Sequence, residues 1–313
     1  MRLYSGRCKD SRPRLGGILA AAILAMMIGA GANLASAQTL NWDGQTGIFV
    51  TPLAYTAPSS DRGFGMPVLA YHYLGAGPVL GGFHQASVTV GALNFMEFGY
   101  TRSLHQEGLT AGVSNLWSSG FNTFHGKINL LPEKVAGRSW QPALAIGFVA
   151  RTQVRNVGGV INGKDTHNAD FYIVATKTVT EIKPLPIVLN AGLKATNASI
   201  LGLAGNAPGY RGRIFGAVAV ALKGPARSTI LLGSEFMQEP KTVQGLPGAV
   251  IPTTLTYAVR IVPAGAFPTR RGWKDESPKL NIDFGIAQAA GNIMPGVNLN
   301  ARHQFALGIS YGL

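Results

Sequence analysis

From Leu280 to Ala287 the chain alternates without a break. Leu280, Ile282, Phe284 and Ile286 fall on one side, and Asn281, Asp283, Gly285 and Ala287 on the other. A period of two sends successive side chains to opposite faces of an extended chain, so such a run is a strand with one dry face and one polar or small face. The pattern returns at Leu255, Tyr257, Val259 and Ile261 against Thr256, Ala258 and Arg260. It returns at Ile187, Leu189, Ala191 and Leu193 against Val188, Asn190, Gly192 and Lys194, and at Ser228, Ile230, Leu232 and Phe236 against Arg227, Thr229, Gly233 and Glu235. Further runs lie near 67–74, 83–91, 94–103, 123–131, 141–151, 169–179 and 211–223, with a short one at 46–51, all separated by glycine, proline and polar clusters. This spacing belongs to antiparallel β-structure.

The polar faces separate a soluble sandwich from a barrel in lipid. A sandwich turns long, charged side chains to water. Here the polar face is mostly Gly, Ala, Ser, Thr and Asn with an occasional single charge. That composition suits a crowded lumen, with the large apolar side chains left for lipid. The runs number about thirteen, and bacterial single-chain barrels close on an even number of strands. The expectation is therefore all-β: an antiparallel transmembrane β-barrel of about 12 strands, within a range of 10–14. After residue 37 no apolar run approaches the roughly 18–20 residues of a membrane helix.

The start of the chain reads as a cleaved signal peptide over 1–37, leaving one barrel domain over 38–313. Arg2, Arg7, Lys9, Arg12 and Arg14 precede an alanine-rich apolar run from Leu15 to about Ala32, and Ala35-Ser36-Ala37 supplies the small-x-small cleavage pattern. The only cysteine, Cys8, lies ahead of that run, so the mature chain carries no thiol, disulfide or cysteine-bound metal. Of the net charge of +13, the five basic residues and Asp10 of the leader account for +4, leaving +9 on the mature chain. A basic surplus points to an anionic partner. In an exported protein that means lipopolysaccharide, an anionic polysaccharide or small anions, and not nucleic acid. At the other end Phe305, Leu307, Ile309, Tyr311 and Leu313 alternate with Gln304, Ala306, Gly308, Ser310 and Gly312. An aromatic and apolar terminal strand of this kind resembles the signal read by outer-membrane barrel assembly machinery.

Parity assigns the charges of the strands to the lumen. The basic candidates are Lys127, Arg151, Lys194, Arg213, Arg227 and Arg260, and the acidic ones Glu97, Glu235 and Asp283. Their bias favours anions in an electropositive passage. The competing reading is a ladder of internal salt bridges that fills a narrow barrel, since charges excluded from lipid turn inward whatever the function. Tyr71, Tyr73, Tyr100, Trp140, Tyr172 and Tyr257 stand near strand ends, as the residues of interfacial girdles do. Longer connections fall around 52–66, 104–122, 152–168, 197–210, 237–252 and 264–278, with a short helix expected over Gly108 to Trp117.

Catalytic signals are weak. Gly158 to Asp165 comes within one residue of a phosphate-binding loop, but Asp165 stands where Ser or Thr holds magnesium, and a carboxylate there repels phosphate. His72, His84, His105, His125, His167 and His303 never pair at the short spacings of zinc hydrolases. No Gly-x-Ser-x-Gly nucleophile motif occurs. No cofactor, metal or catalytic group is assigned.

Two resemblances add to this. The segment Asn41-Trp42-Asp43-Gly44-Gln45-Thr46-Gly47-Ile48-Phe49-Val50-Thr51-Pro52 resembles the entry segment of YjbH-like outer-membrane proteins associated with exopolysaccharide. Lys127 to Glu133, Pro142 to Gly147 and Phe171 to Lys177 are similar to the strand order of that group, although Phe148-Val149-Ala150-Arg151 replaces its acidic residue and glycine-rich turn. Over nearly the whole mature chain, including Phe98 to Arg102, Leu203 to Pro208 and Pro247 to Thr254, the sequence resembles an uncharacterised proteobacterial family defined as a numbered domain of unknown function. Neither resemblance implies an activity. The expected function is a non-enzymatic outer-membrane barrel in contact with lipid and lipopolysaccharide, a narrow channel or envelope accessory protein for anionic solutes or glycans. The alternatives are an outer-membrane enzyme acting on lipid or lipopolysaccharide, and a soluble periplasmic β-protein that binds a partner.

Overall fold

The computed structural model describes residues 39–313 apart from 110–116, 134–139, 155–165, 181–184, 204, 246–247, 249, 252, 264–279 and 290–300. The expected signal peptide, most of the expected helix at 108–117 and the loop at 158–165 lie outside the described residues. Twelve strands make the wall: β1 (Val68–Gly75), β2 (Gly82–Ala92), β3 (Met96–Gln106), β4 (Phe121–Leu131), β5 (Ala143–Thr152), β6 (Asn168–Val179), β7 (Ile187–Ser199), β8 (Gly205–Lys223), β9 (Thr229–Met237), β10 (Thr254–Val262), β11 (Leu280–Ala289) and β12 (Ala301–Gly312). Each pairs antiparallel with its neighbours in sequence, and β12 returns to β1 through Val68 opposite Gly312 and Tyr71 opposite Ile309. The barrel is closed, so no strand edge is left to attract another chain. Val68 and Gly312 mark its terminal end; the opposite mouth is the far end.

The periodicity sorts the side chains as expected. Leu189, Leu193, Val259, Phe284, Ile286, Phe305 and Ile309 are among the large apolar residues exposed around the outside. Their neighbours Asn190, Lys194, Arg260, Asp283 and Ser310 are buried on the inside. Phe305, Ile309 and Leu313 are exposed and Leu307 and Tyr311 half-buried, so the terminal stripe lies on the outer face.

Four expectations need correction. The run at 46–51 is no wall strand. It lies inside the barrel, and among the described residues its bridges are Leu40 with Thr46 and Gly47 with Pro52. The 197–210 connection is mostly strand, because β7 reaches Ser199 and β8 begins at Gly205. A shift in register between Thr196 and Ala198 absorbs the extra residues of β8, including Pro208, which reads as a loop signal in sequence. Arg227 belongs to the 3-10 turn Pro225–Arg227 that joins β8 to β9, where Gly224 and Pro225 end the strand. Tyr172 is buried inside, with its ring at right angles to Phe215 (82°, 6.3 Å), while Tyr71, Trp140 and Tyr257 are exposed.

Candidate functional site in the barrel lumen

The lumen is occupied by the chain's own residues 39–57. This segment folds on itself: Trp42 N–H donates to Phe49 O at 2.7 Å, Asn41 N–H to Gln45 O at 2.7 Å, and Leu53 N–H to Thr46 O at 3.0 Å. Leu40 and Ala57 cluster with Val68 and Ala70, so the segment begins and ends at the terminal end. Its tip, Asp43-Gly44, points toward the far end. Gly44 is required there. Its φ is +89°, and a Cβ would sit 2.3 Å from Thr101 Oγ1, too close for any side chain.

The wall charges face this plug and bind it. Arg151, near the far end of β5, donates to both carboxylate oxygens of Asp43 at 2.8 Å and to Asp170 at 3.1 Å. Lys127 pairs with Glu97 at 2.9 Å and donates to Thr46 O at 2.9 Å. Glu97 in turn accepts from Thr46 N–H at 3.0 Å and Ala57 N–H at 2.7 Å. Arg260 pairs with Asp283 at 2.6 Å and donates to Thr39 Oγ1, Gly47 O and Ile48 O. Glu235 has a different partner set: the successive N–H groups of Phe49, Val50 and Thr51, together with the Thr51 hydroxyl at 2.6 Å. Three consecutive amides around one carboxylate form an anion-binding nest.

Apolar contacts complete the closure. Trp42, Phe49 and Val50 of the plug share one buried cluster with Phe83, Phe121, Val149, Val174, Phe215 and Met237 of the wall. Leu201 and Leu203, from the β7–β8 connection, join the same cluster, and Leu203 O accepts from Trp117 Nε1 at 2.9 Å. Close-packed apolar contact of this kind is what stabilises a protein interior. Between plug and wall there remains a pocket of about 40 Å³ beside Arg260 and Asp283.

Two loop carboxylates fasten the ends. Glu133, after β4, accepts from Tyr55 Oη at 2.6 Å, Lys177 Nζ at 2.9 Å and Thr178 N–H at 3.0 Å. Burial pushes its carboxyl up, but those three hydrogen bonds and the Lys177 charge together hold it below its ordinary value. Glu239, after β9, pairs with Lys194 at 3.4 Å, and its backbone oxygen accepts from Arg213 Nε at 2.8 Å. Burial pushes Glu239 up to about 7, against the pull of Lys194. A carboxyl raised in the folded state stabilises fully below its ordinary value of 4.5 and loses that contribution as pH rises through about 7. Glu239→Gln is thus expected to remove a fall in stability between pH 5 and pH 8 that the unaltered protein shows. Urea unfolding at the two pH values checks this; equal slopes in both proteins would contradict it.

The basic candidates thus divide by place. Lys127, Arg151, Lys194 and Arg260 are buried inside, Arg213 is half-buried, and Arg227 is outside the strands. The expected cationic bias is not found among the described residues: buried Asp43, Glu97, Asp170, Glu235, Glu239 and Asp283 outnumber the four buried cations. Parity on the wall strands misses Asp43 and Glu239, because neither belongs to a strand. Asp170 is missed although it sits on β6 next to Arg151.

A sequence profile described as "Protein of unknown function (DUF3034)" matches residues 43–248. The chain belongs to the DUF3034 family. The region matched to DUF3034 takes in Asp43, Arg151 and Asp170, and also Glu97, Lys127 and Glu235. No curated protein sequence matches the chain. Among solved structures, it is similar to the KdgM porin (9% identity, 79% of this chain and 99% of that one, TM-score 0.43). It is also similar to the NanC porin (7%, 79% and 100%, 0.44) and to the COG4313 outer membrane channel from Pseudomonas putida F1 (10%, 84% and 98%, 0.41). These overlaps are loose, and the closed barrel of this DUF3034 chain is read from its own strand pairing.

Proposed function

We propose that this DUF3034 chain is an outer-membrane barrel closed at rest by its N-terminal segment, and that it serves the envelope as a non-enzymatic accessory protein and not as an open diffusion pore. The occupied lumen carries this reading. Buried charges in the wall satisfy the plug's backbone and Asp43, so the groups that would attract a solute are already engaged. The ring of exposed apolar side chains supports the membrane placement, since water is a poor neighbour for so many of them and lipid a good one. Periplasmic turns are the short ones, and the three-residue turn Leu93 to Phe95 supports a periplasmic terminal end, although the 17-residue connection between Val262 and Leu280 is at the same end. The outward stripe Phe305, Leu307, Ile309, Tyr311 and Leu313 is then the feature that the assembly machinery reads.

Cell fractionation followed by gel electrophoresis with and without boiling tests the placement. Recovery with the outer membrane and a heat-dependent mobility shift is expected. Release by osmotic shock with no shift would mean that the outer faces meet a soluble partner instead.

A further inference from the structure

β8 outruns its neighbour β9 at the far end. Their pairing stops at Phe215 opposite Met237, while residues 205–214 continue beside β7. In this overhang Arg213 stands opposite Lys194, and Arg211 opposite Thr196. Lys194 and Thr196 are buried on the inside, so both arginines share the lumen face, about 7 Å apart along the strand. Arg211 is exposed and Arg213 half-buried, as residues at the far-end mouth are. Like charges set directly opposite each other, as Lys194 and Arg213 are, cost stability and gain from an anion between them.

The acids nearby leave these cations unmet. Arg213 donates Nε to the backbone oxygen of Glu239 and Nη1 to Gly212 O, at 2.8 and 2.9 Å, and makes no ion pair among the described residues. Arg211 has neither a hydrogen bond nor an ion pair among them. Lys241, exposed on the connection after β9, donates to a backbone oxygen, Ile251 O, at 3.1 Å. Asp170 is taken up by Arg151 and the Thr196 hydroxyl. Glu239 pairs with Lys194 at 3.4 Å, and its second carboxylate oxygen accepts no hydrogen bond among the described residues. Burial raises its carboxyl to about 7, so near neutral pH it carries only part of a charge. A guanidinium has a fork of N–H donors, and Arg211 keeps all of its own and Arg213 most. One such fork satisfies the two oxygens of a carboxylate. A phosphate group brings a third acceptor oxygen and a charge of about −1.5 to −2, which suits two guanidinium groups side by side.

We infer that Arg211 and Arg213 form a site at the far-end mouth for a phosphate group, carried by inorganic phosphate or by a phosphorylated sugar. Binding follows from the fold alone; that the ligand stops at the mouth rests on the closed-lumen reading above. The test follows the phosphorus NMR line of inorganic phosphate, and then of glucose 6-phosphate, as protein folded in a phosphate-free maltoside detergent is added. Saturable broadening is expected with the unaltered protein. Arg211→Gln, which breaks no hydrogen bond among the described residues, should weaken binding roughly tenfold, and the double variant Arg211→Gln, Arg213→Gln should abolish it. Acetate at equal concentration should leave the phosphate in place. No broadening, equal broadening in all three proteins, or displacement by acetate would overturn the site. Tighter binding of glucose 6-phosphate than of inorganic phosphate identifies the ligand as a phosphorylated sugar, and the reverse order as the free ion. Uptake of phosphate into liposomes carrying the unaltered protein would contradict the closed lumen and leave the site standing.

Discussion

Arg151→Met is expected to destabilise the barrel by about 3–5 kcal/mol, the usual cost of breaking a buried ion pair from one side. The guanidinium holds two carboxylates, Asp43 of the plug and Asp170 of the wall, and its own side chain is fully buried. Without it both acids stay in a low-dielectric interior with no cation between them, and the plug loses its fastening at the tip. Neutralising one acid as well, in Arg151→Met with Asp43→Asn, should return part of the loss, because the remaining charge keeps the Thr196 hydroxyl as a donor. Urea unfolding of the protein folded into liposomes measures both. A loss under about 1 kcal/mol for the single variant, the range of exposed pairs, would mean that water reaches Arg151 and that the plug does not seal that level of the lumen.

The second large effect concerns the outside. Phe284 lies on β11, opposite Val259 of β10 and Leu307 of β12, with its ring exposed. In lipid, Phe284→Arg should cost about 2–4 kcal/mol if the position is near the bilayer midplane. Facing water, the same change should stay within about 0.5 kcal/mol. Val259→Arg, one strand away, should behave alike. The two environments differ by several-fold in the same experiment, so unfolding free energies in liposomes decide between them.

Much of the wall was legible in the sequence because alternation is a local property. At Leu280 to Ala287 each residue's face follows from its neighbour's, and β11 pairs in the register that the pattern requires. β8 was legible only in its second half, since Gly205, Pro208 and Gly209 look like a loop until the shift in register against β7 is seen. The plug was not legible, for a physical reason. Ile48 and Val50 alternate like a short strand, but Ile48 packs on Val188 and Ala219 and Val50 on the wall cluster, and their backbone is held by Arg260 and Glu235, all more than a hundred residues away or on other strands. Long-range pairing leaves no local trace. The one sequence hint was length, as a run of six residues is short beside the 9–11 that cross a bilayer. The charge balance failed for a related reason: counting strand charges alone omits Asp43 and Glu239, which enter the interior from outside the strands.

Closure of the lumen by residues 39–57 is tested most directly by single-channel recording in planar lipid bilayers. The unaltered protein is predicted to insert and remain silent at low voltage. A variant with the plug's fastenings removed at Arg151 and Glu235 should give discrete current steps. Steady, open channels from the unaltered protein would contradict the account, because residues 39–57 could not then fill the lumen as described.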